Sequence, residues 1–217
     1  MSAANTTQGS SSSPRPTTNL LLSGVGGQGV VLASFVLSQV AMAEGYDVKQ
    51  SEVHGMSQRG GSVTSHFRFG EKVWAPLVSP GAADILMAFE SLEALRYIHW
   101  LKPGGLLVYN AQKINPSPVS SGLATYPEDI DGKIAAAWPR TQCVNANVLA
   151  AQAGTVKSAN VVMLGAVSPA LPFRMETWEA VIRKAVPPKS VDVNMEAFRL
   201  GVATAANPAA TCTTGAA

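Results

Sequence analysis

The sequence predicts an α/β domain with three layers, in which helices cover both faces of a mostly parallel sheet that carries an antiparallel edge hairpin. Three observations support this fold class. Short apolar runs alternate with helical segments, a glycine-rich turn joins the first strand to the first helix, and one later segment alternates polar and apolar residues. The 217 residues are enough for one such domain.

The first segments form a unit of strand, loop, helix and strand. Residues 19–23 are an apolar run, and residues 24–29, the glycine loop, read Gly-Val-Gly-Gly-Gln-Gly. Residues 30–44 are apolar on nearly every side, Gly45 stands where helices commonly end, and residues 46–51 form the next strand. A unit of about 30 residues in this order predicts a parallel pair of strands and a Rossmann-like layer.

The next segment departs from this order. Residues 62–69 alternate with period two and carry His66 and Arg68 on their polar side. This pattern predicts a half-buried antiparallel strand near an edge, with a solvated polar side and with residues 73–77 as its hairpin partner. Further strands are predicted at 84–89, 105–109 and 141–144, and helices at 91–101, 147–152, 158–167, 178–186 and 194–202.

The two ends of the chain differ in composition from its body. Residues 1–18 are rich in Ser, Thr and Pro and predict a disordered tail, and residues 203–217 predict a flexible C-terminal tail. The domain is expected to cover residues 19–202. The start of the chain lacks the basic and apolar regions of a signal peptide, and no apolar run reaches the roughly 18 residues of a membrane span. We therefore expect no membrane association.

Composition limits the classes of partner and metal. The net charge of +2 gives no support for nucleic-acid binding, which usually requires a strong basic excess. Charged residues make up 14% of the chain, against about a quarter in typical domains, so either a partner buries much of the surface or the exposed face is unusually apolar. Cys143 and Cys212 are far apart and no CxxC is present, which excludes a cluster or a cysteine-rich zinc site held by this chain alone. We expect no metal site, a buried Cys143 thiol and a reducing, cytoplasmic compartment.

The glycine loop is the first candidate site. Glycines tolerate positive φ and let the backbone approach a ligand closely, and the helix that follows offers free N–H groups to an anion. The alternative is a tight turn that needs small residues only for packing. The candidate binding residues of this loop are Gly24, Gly26, Gly27, Gln28 and Gly29.

A second candidate site follows the second strand. A dinucleotide-binding unit requires an acidic residue near this strand end, and Glu52 stands there. Residues 52–61 hold an acid, a histidine, a glutamine, an arginine and three glycines, which is dense for a mere connection. The alternative is a polar turn in which Glu52 pairs with Arg59. The other candidates in this segment are His54, Gly55, Gln58 and Gly60.

Two more candidates follow later strands. Glu90 and Asn110 come directly after the strands predicted at 84–89 and 105–109. In open parallel sheets, ligands bind beyond the carboxyl ends of the strands, so these residues are expected to meet the glycine loop at one rim. The alternatives are a carboxylate that complements a helix dipole at Glu90 and an Asx-turn at Asn110.

Four motifs together resemble a known family. Residues 23–29 read SGVGGQG, residues 51–63 read SEVHGMSQRGGSV, residues 88–94 read AFESLEA, and residues 109–110 read YN. They are similar to the gamma-type domain of 2-oxoacid:ferredoxin oxidoreductases, and the second motif is the most specific. Within this family they are most similar to the branch that oxidises indolepyruvate. The resemblance covers residues 19–202.

The resemblance implies a thiamine-diphosphate enzyme that oxidatively decarboxylates arylpyruvates such as indolepyruvate, forms the acyl-coenzyme A and passes electrons to ferredoxin. The chain has no thiamine-diphosphate motif and too few cysteines for a [4Fe–4S] cluster. Thiamine diphosphate, Mg²⁺ and the clusters are therefore expected on a larger alpha subunit. This chain, inactive by itself, is expected to complete the active site of the hetero-oligomer.

The resemblance also suggests roles for the candidate residues, none of which is assigned as catalytic. The glycine loop and Glu52 are expected to contact an anion or cofactor. The substrate or coenzyme A side of the site is expected to include His54, Gly55, Gln58, Arg59, Gly60, Glu90 and Asn110.

Two alternatives stay open. A self-contained oxidoreductase would bind NAD or FAD at the glycine loop, although no second βαβ half follows Glu52. A non-catalytic assembly subunit would use the loop for packing alone, although the polar groups of residues 52–61 argue against this. Dinucleotide binding by the isolated chain distinguishes the first, and loop substitutions that change assembly only distinguish the second.

Overall fold

The structure is a computed structural model that describes residues 15–54 and 60–206. The described residues form one six-stranded sheet flanked by helices. The strands are β1 (Thr18–Val25), β2 (Asp47–His54), β3 (Ser62–Gly70), β4 (Ala83–Ala88), β5 (Leu101–Asn110) and β6 (Thr141–Val144). The α-helices are α1 (Val30–Ala43), α2 (Ser91–Tyr97), α3 (Ser117–Ser120), α4 (Ile130–Ala137), α5 (Ala146–Ala153), α6 (Ala159–Val167), α7 (Met175–Ala185) and α8 (Val191–Ala205).

The strands lie in the order β2-β3-β1-β4-β5-β6. β1, β4, β5 and β6 are parallel neighbours, whereas β3 is antiparallel to both β1 and β2. α1, α5, α6, α7 and α8 pack on one face of the sheet, and α2 and α4 pack on the other. The predicted three-layer, mostly parallel sheet with an antiparallel edge hairpin is therefore confirmed.

Two predicted details of this sheet are wrong. β1 and β2 run in the same direction, but β3 lies between them, so they are not a pair. Seven residues, 55–61, join β2 to β3, which is too few for the dozen or more that a parallel crossover needs. The hairpin partner of β3 is thus β2 and not residues 73–77, where Pro76 lacks the N–H of a strand ladder.

The polar side of β3 is buried, contrary to the prediction of a solvated face. His66 is 4% exposed, stacks edge-on against Trp100 and accepts a hydrogen bond at Nδ1 from the Val78 N–H. Arg68 donates to the Ala75 carbonyl with an N to O distance of 2.8 Å, which helps to hold this covering segment on the strand. Burial lowers the pKa of His66, so the neutral imidazole is the form that fits here.

α6 and α8 pack against each other with almost no side-chain spacer. Gly165 of α6 lies against the Phe198 carbonyl, and Gly201 of α8 lies against the Val162 carbonyl. This close approach fixes the position of α6 relative to α8 on one face of the sheet, because the backbone of each helix forms part of the packing surface of the other. The sequence predicts both helices but not this contact.

Some predictions concern segments that the structure treats differently or does not describe. α4 lies where no helix is predicted, since its eight residues show little periodicity. Cys143 is buried as expected and is disulfide-bonded rather than a free thiol. Residues 1–14 and 207–217 lie outside the described part, so the division into tails and domain stays a prediction. No helix in the described part has the length and apolarity needed to cross a membrane.

Asp47 gives the edge hairpin a testable acid sensitivity. It accepts the Val73 N–H at 2.9 Å and pairs with Lys49, and these contacts lower the pKa of Asp47 from 3.8 to about 2. A lowered pKa contributes stability that is present above the unfolded value and is lost as the pH falls through the folded value. We expect Asp47→Asn to be less stable than the wild type at pH 5, and we expect the difference in urea unfolding to shrink as the pH falls from 5 through about 2. The exposed Asp192→Asn is the control, and a difference as large at pH 2 as at pH 5 would contradict the assignment.

Candidate functional site

The carboxyl ends of β1, β4 and β5 are tied together by the glycine loop. Gln28 accepts the Val25 N–H at its side-chain oxygen, 2.7 Å away, and so closes the turn after β1. Its amide nitrogen donates to the Phe89 carbonyl at 2.7 Å and to Oε1 of Gln112 at 2.8 Å. The Gln28 side chain is therefore engaged with the ends of three strands, and it orders the rim.

Asn110 joins β5 to the start of α5. Its amide nitrogen donates to the Phe89 carbonyl at 3.2 Å and to Oδ1 of Asn147 at 2.8 Å, and its oxygen accepts the Ala146 N–H at 3.0 Å. The side chain is 2% exposed. Asn110 thus lies at the rim with the glycine loop, as the strand ends predict. Its side-chain oxygen accepts the distant Ala146 N–H rather than the N–H two residues on that an Asx-turn uses.

Glu90 caps α2 and holds the connection that follows β5. Its carboxylate accepts the Glu93 N–H at 2.8 Å, the Ile114 N–H at 3.1 Å and the Tyr126 hydroxyl at 2.6 Å. It is 1% exposed. Burial, followed by the contact with Glu90, raises the pKa of Tyr126, so the phenol stays protonated and donates. Because Glu90 caps the N-terminus of α2, the alternative of a carboxylate that complements a helix dipole describes part of its role.

The second motif is anchored to the same rim at its C-terminal end. The Gly26 N–H of the glycine loop donates to the Gly61 carbonyl at 2.9 Å. The next residue, Ser62, donates its hydroxyl to the buried carboxylate of Glu93, which also pairs with Arg96 at 3.0 Å. Gly60 therefore stands beside α2, where it lines a cavity of about 200 Å³ together with Glu90.

Sequence reasoning missed several residues of this network. Glu93 follows Glu90 at the spacing of a helix cap, which is a usable signal. Gln112 follows Asn110 at the end of β5, but nothing in the local sequence marks Tyr126 or Asn147. These residues are brought in by the connection after β5 and by α5, so their position depends on the tertiary fold.

The glycine loop leaves the start of α1 open to solvent. Gly29 is the N-cap of α1 and has a φ of +79°, and no side chain caps the helix. A Cβ on Gly24 would lie 2.8 Å from Cγ2 of Val30, so this glycine allows the loop to lie close to the helix. Gly27 also has positive φ but faces open space.

A comparison of Gly29→Ala with Gly27→Ala distinguishes the free-energy cost of a steric clash from the cost of a side chain at positive φ. Both place a side chain at positive φ, which costs roughly 1–2 kcal/mol. A Cβ on Gly29 would also lie 2.6 Å from Nδ2 of the buried Asn160, so we expect this variant to lose about 1 kcal/mol more than Gly27→Ala. Urea unfolding of the two variants measures the difference. Equal losses would show that the Asn160 contact relaxes without cost.

An open cleft of about 750 Å³ lies beside the glycine loop. Its walls include Val31 and Phe35 of α1 and Gln50 and Glu52 of β2. Glu52 is exposed, and the Gln50 amide donates to it at 3.3 Å. Among the described residues that line the cleft, Glu52 carries the single charge, and none is a cation.

The comparison with known proteins identifies the family. The model of the family described as pyruvate ferredoxin/flavodoxin oxidoreductase matches residues 19–204. The chain belongs to this family. The predicted resemblance is confirmed, because the indolepyruvate oxidoreductase subunit IorB of Thermococcus kodakarensis is 47% identical over 196 residues, which cover 85% of this chain and 94% of that subunit. The chain is accordingly a subunit of an oxidoreductase of the 2-oxoacid:ferredoxin type.

Solved structures agree with the fold. The gamma subunit of a keto/oxoacid ferredoxin oxidoreductase from Geobacter sulfurreducens matches with a TM-score of 0.64 and 26% identity, over 87% of this chain and 98% of that one. A 2-oxoglutarate:ferredoxin oxidoreductase from Magnetococcus marinus matches with a TM-score of 0.67 and 19% identity, over 88% of this chain and 31% of that one. In the second protein this fold is therefore part of a longer chain.

The geometry disfavours the NAD or FAD alternative for this family member. In a dinucleotide-binding unit, the acidic residue ends the strand adjacent to the glycine loop's strand. Here β3 separates β1 from β2, so Glu52 belongs to a strand roughly 10 Å from β1 at a spacing of about 4.8 Å per strand. Glu52 therefore ends a strand that lies one position further from β1 than in a dinucleotide-binding unit.

The chemistry of the described cleft lining bears on the cofactors that the family resemblance implies. Thiamine diphosphate and coenzyme A both carry a diphosphate, and the described cleft lining offers backbone N–H groups but a carboxylate and no cation. These residues by themselves do not fit a diphosphate. Within residues 15–54 and 60–206, no group of three His, Cys, Asp or Glu side chains is arranged to hold a metal ion.

The remaining sequence candidates stand as follows. His54 is the last residue of β2, at the same rim as the other strand ends. Gly55, Gln58 and Arg59 lie outside the described residues, so their roles, like the binding roles of the glycine loop, stay predictions.

Proposed function

We propose that this chain is the smaller subunit of an arylpyruvate:ferredoxin oxidoreductase that acts on indolepyruvate. In the proposed reaction the carboxylate carbon of the 2-oxoacid leaves as CO₂, and the acyl carbon forms a thioester with coenzyme A. Two electrons pass to two ferredoxins and one proton is released. The identity of 47% to an indolepyruvate oxidoreductase subunit, over nearly its whole length, carries this proposal.

The side-chain contacts of the rim support a division of roles between this chain and the larger subunit. Gln28, Glu90 and Asn110 are committed to hydrogen bonds within the chain, so they order the rim and are not available as proton donors or acceptors. Thiamine diphosphate, with Mg²⁺ and the [4Fe–4S] clusters, is proposed to reside on a larger alpha subunit, where it supplies the carbanion chemistry of decarboxylation. This chain contributes one wall of the site.

Two described parts of this wall are proposed to meet the ligand. They are the N–H groups at the start of α1 and the cleft lining that includes Glu52. We propose that His54, Gln58 and Arg59 face coenzyme A or the substrate. Arg59 is the cation best suited to a phosphate or a carboxylate.

The test is reconstitution with the larger subunit encoded in the same organism. The two chains are co-expressed anaerobically, purified through a tag on this chain, and assayed for reduction of ferredoxin that depends on 2-oxoacid and coenzyme A. We expect indolepyruvate and other arylpyruvates to have a higher kcat/KM than pyruvate or 2-oxoglutarate. Equal or greater activity with 2-oxoglutarate would overturn the substrate assignment, and a chain that never binds the larger subunit would overturn the function.

A further inference from the structure

Asn160 of α6 presents an unpartnered amide to the start of α1. The residue is 5% exposed, and its side-chain oxygen accepts the Val161 N–H at 3.0 Å. Its amide nitrogen, Nδ2, has no acceptor among the described residues. Nδ2 lies 2.6 Å from the position that a Cβ of Gly29 would occupy, so it faces the backbone of the residue that caps α1. Because buried amide groups are nearly always hydrogen-bonded, this one indicates an acceptor that comes from outside the described chain.

The first turn of α1 adds backbone donors at the same place. The first hydrogen bond of the helix runs from the Ala33 N–H to the Gly29 carbonyl. The N–H groups of residues 30–32 precede this bond, and no side chain caps them, so they have no acceptor within the described chain. Gly29 is therefore in contact with donors from two helices, the N–H groups of α1 and the amide of Asn160.

These donors are within reach of a ligand. Among the described residues, two side-chain polar atoms are fully enclosed and lack a partner, Ser23 Oγ and Trp178 Nε1. Nδ2 of Asn160 is not one of them, so it keeps contact with solvent. Gly29 also lines the open cleft of about 750 Å³. A ligand in the cleft thus lies beside the residue that both sets of donors contact.

The chemistry of the donors suits a single negative charge. A helix N-terminus carries roughly half of an elementary charge, the amide is neutral, and the described cleft lining includes no cation. A phosphate with two charges would lack a counter-ion here, whereas a carboxylate has one charge and two oxygens that accept N–H groups. The cleft walls formed by Val25, Val31 and Phe35 are apolar and suit an aromatic ring.

We propose that the start of α1 and the Asn160 amide bind the carboxylate of the 2-oxoacid, and that its aryl group lies in the cleft along Val31 and Phe35. This inference rests on the proposed function and adds which part of the substrate this chain holds. Neutral donors are compatible with decarboxylation, because the carboxylate loses its charge as CO₂ leaves. A cation at this position would stabilise the charged substrate more than the transition state. Asn160 is thus a substrate-binding residue that lies outside the sequence motifs.

Kinetics of the reconstituted complex test this assignment. Asn160→Ala removes the amide, and Asn160→Asp places a carboxylate where that of the substrate would lie. Both variants should raise the KM for phenylpyruvate, a stable arylpyruvate, by about 10-fold or more, since each loses a hydrogen bond to a charged group. The kcat and the KM for coenzyme A should change by less than about 2-fold, whereas a general disturbance of the glycine loop would raise both KM values.

Asn194→Asp is the matched control. It makes the same chemical change at a 7% exposed asparagine of α8, whose amide donates to the Ser190 carbonyl at 2.8 Å. This variant should leave both KM values as they are in the wild type. Thermal melting of the isolated variants shows whether they fold, and Asn160→Ala decides the test if the buried carboxylate of Asn160→Asp prevents folding.

Binding to the isolated chain is measured separately by NMR. Phenylpyruvate is titrated into the isotope-labelled chain, and we expect shifts at the backbone amides of residues 29–32 and at the side-chain amide of Asn160. Phenylacetone has a methyl group in place of the carboxylate, so it should leave the Asn160 signal unchanged. Asn160→Asp should abolish the shifts that phenylpyruvate causes in residues 29–32.

The outcomes distinguish this inference from the proposed function. A wild-type KM for phenylpyruvate in the folded Asn160 variants would overturn the inference and leave the proposed function intact, because the donors would then hold only water. An unchanged KM together with weaker binding of the larger subunit would also overturn it, since the acceptor would belong to the partner. A wild-type complex that does not turn over arylpyruvates would overturn the proposed function, and the NMR titration would then decide by itself whether the start of α1 binds a carboxylate.

Discussion

Gly201→Ala is expected to lower the free energy of unfolding by about 3 kcal/mol or more. Helix propensity alone predicts the opposite, since alanine in place of glycine within a helix stabilises by roughly 0.5–1 kcal/mol. Packing decides the sign here, because the new Cβ would overlap the Val162 carbonyl of α6 and approach the N–H of Ala166 at 3.0 Å. Both obstacles are backbone, so neither is able to rotate away.

Urea denaturation of the isolated chain measures this loss, and two further variants locate its cause. Gly165→Ala meets the Phe198 carbonyl from the other helix and should be destabilised in the same direction. Ala203→Ser, on the exposed side of α8, should change stability by less than about 0.5 kcal/mol. A stable Gly201→Ala would show that α6 and α8 separate at little cost and that the close crossing does not hold this layer together.

Glu90→Ala is expected to cost about 3–5 kcal/mol, because it leaves three donors without their acceptor and each unsatisfied buried donor costs about 1–3 kcal/mol. The change leaves the Glu93 N–H, the Ile114 N–H and the Tyr126 hydroxyl without their acceptor inside the rim. Because these donors belong to α2 and to the connection after β5, we expect both segments to loosen. Hydrogen exchange at the amides of Glu93 and Ile114 checks this directly.

Tyr126→Phe separates one contact of Glu90 from the rest. It removes a single donor and should cost about 1–1.5 kcal/mol. In a double-mutant cycle, the stability loss of the double variant should be smaller than the sum of the losses of Glu90→Ala and Tyr126→Phe. The reason is that the Tyr126 hydroxyl has already lost its acceptor once Glu90 is replaced. Glu196→Ala, on the exposed side of α8, is the matched control. A loss below about 1 kcal/mol for Glu90→Ala would mean that water replaces the carboxylate.

Local sequence patterns predicted much of the fold and the position of the rim. The glycine loop between an apolar strand and an apolar helix, and the period-two alternation of β3, depend on neighbouring residues only, and so they are readable without a structure. The same holds for the convergence of Glu90, Asn110 and the glycine loop, because each follows a strand of a parallel set. The second motif also allowed the family to be inferred, which the family match confirmed.

Only the tertiary structure decided how these pieces are used. The insertion of β3 between β1 and β2 depends on pairing between segments far apart in the chain, and it separates Glu52 from the geometry of a dinucleotide site. The Gln28 amide nitrogen donates to Phe89 and Gln112, which lie 61 and 84 positions further along the chain. Local sequence patterns therefore do not reveal its structural role. α1 has the sequence of a buried helix and an exposed apolar side. Composition shows that α1 is apolar on nearly every side, but only the packing of the other elements determines which of its residues are buried and which are exposed.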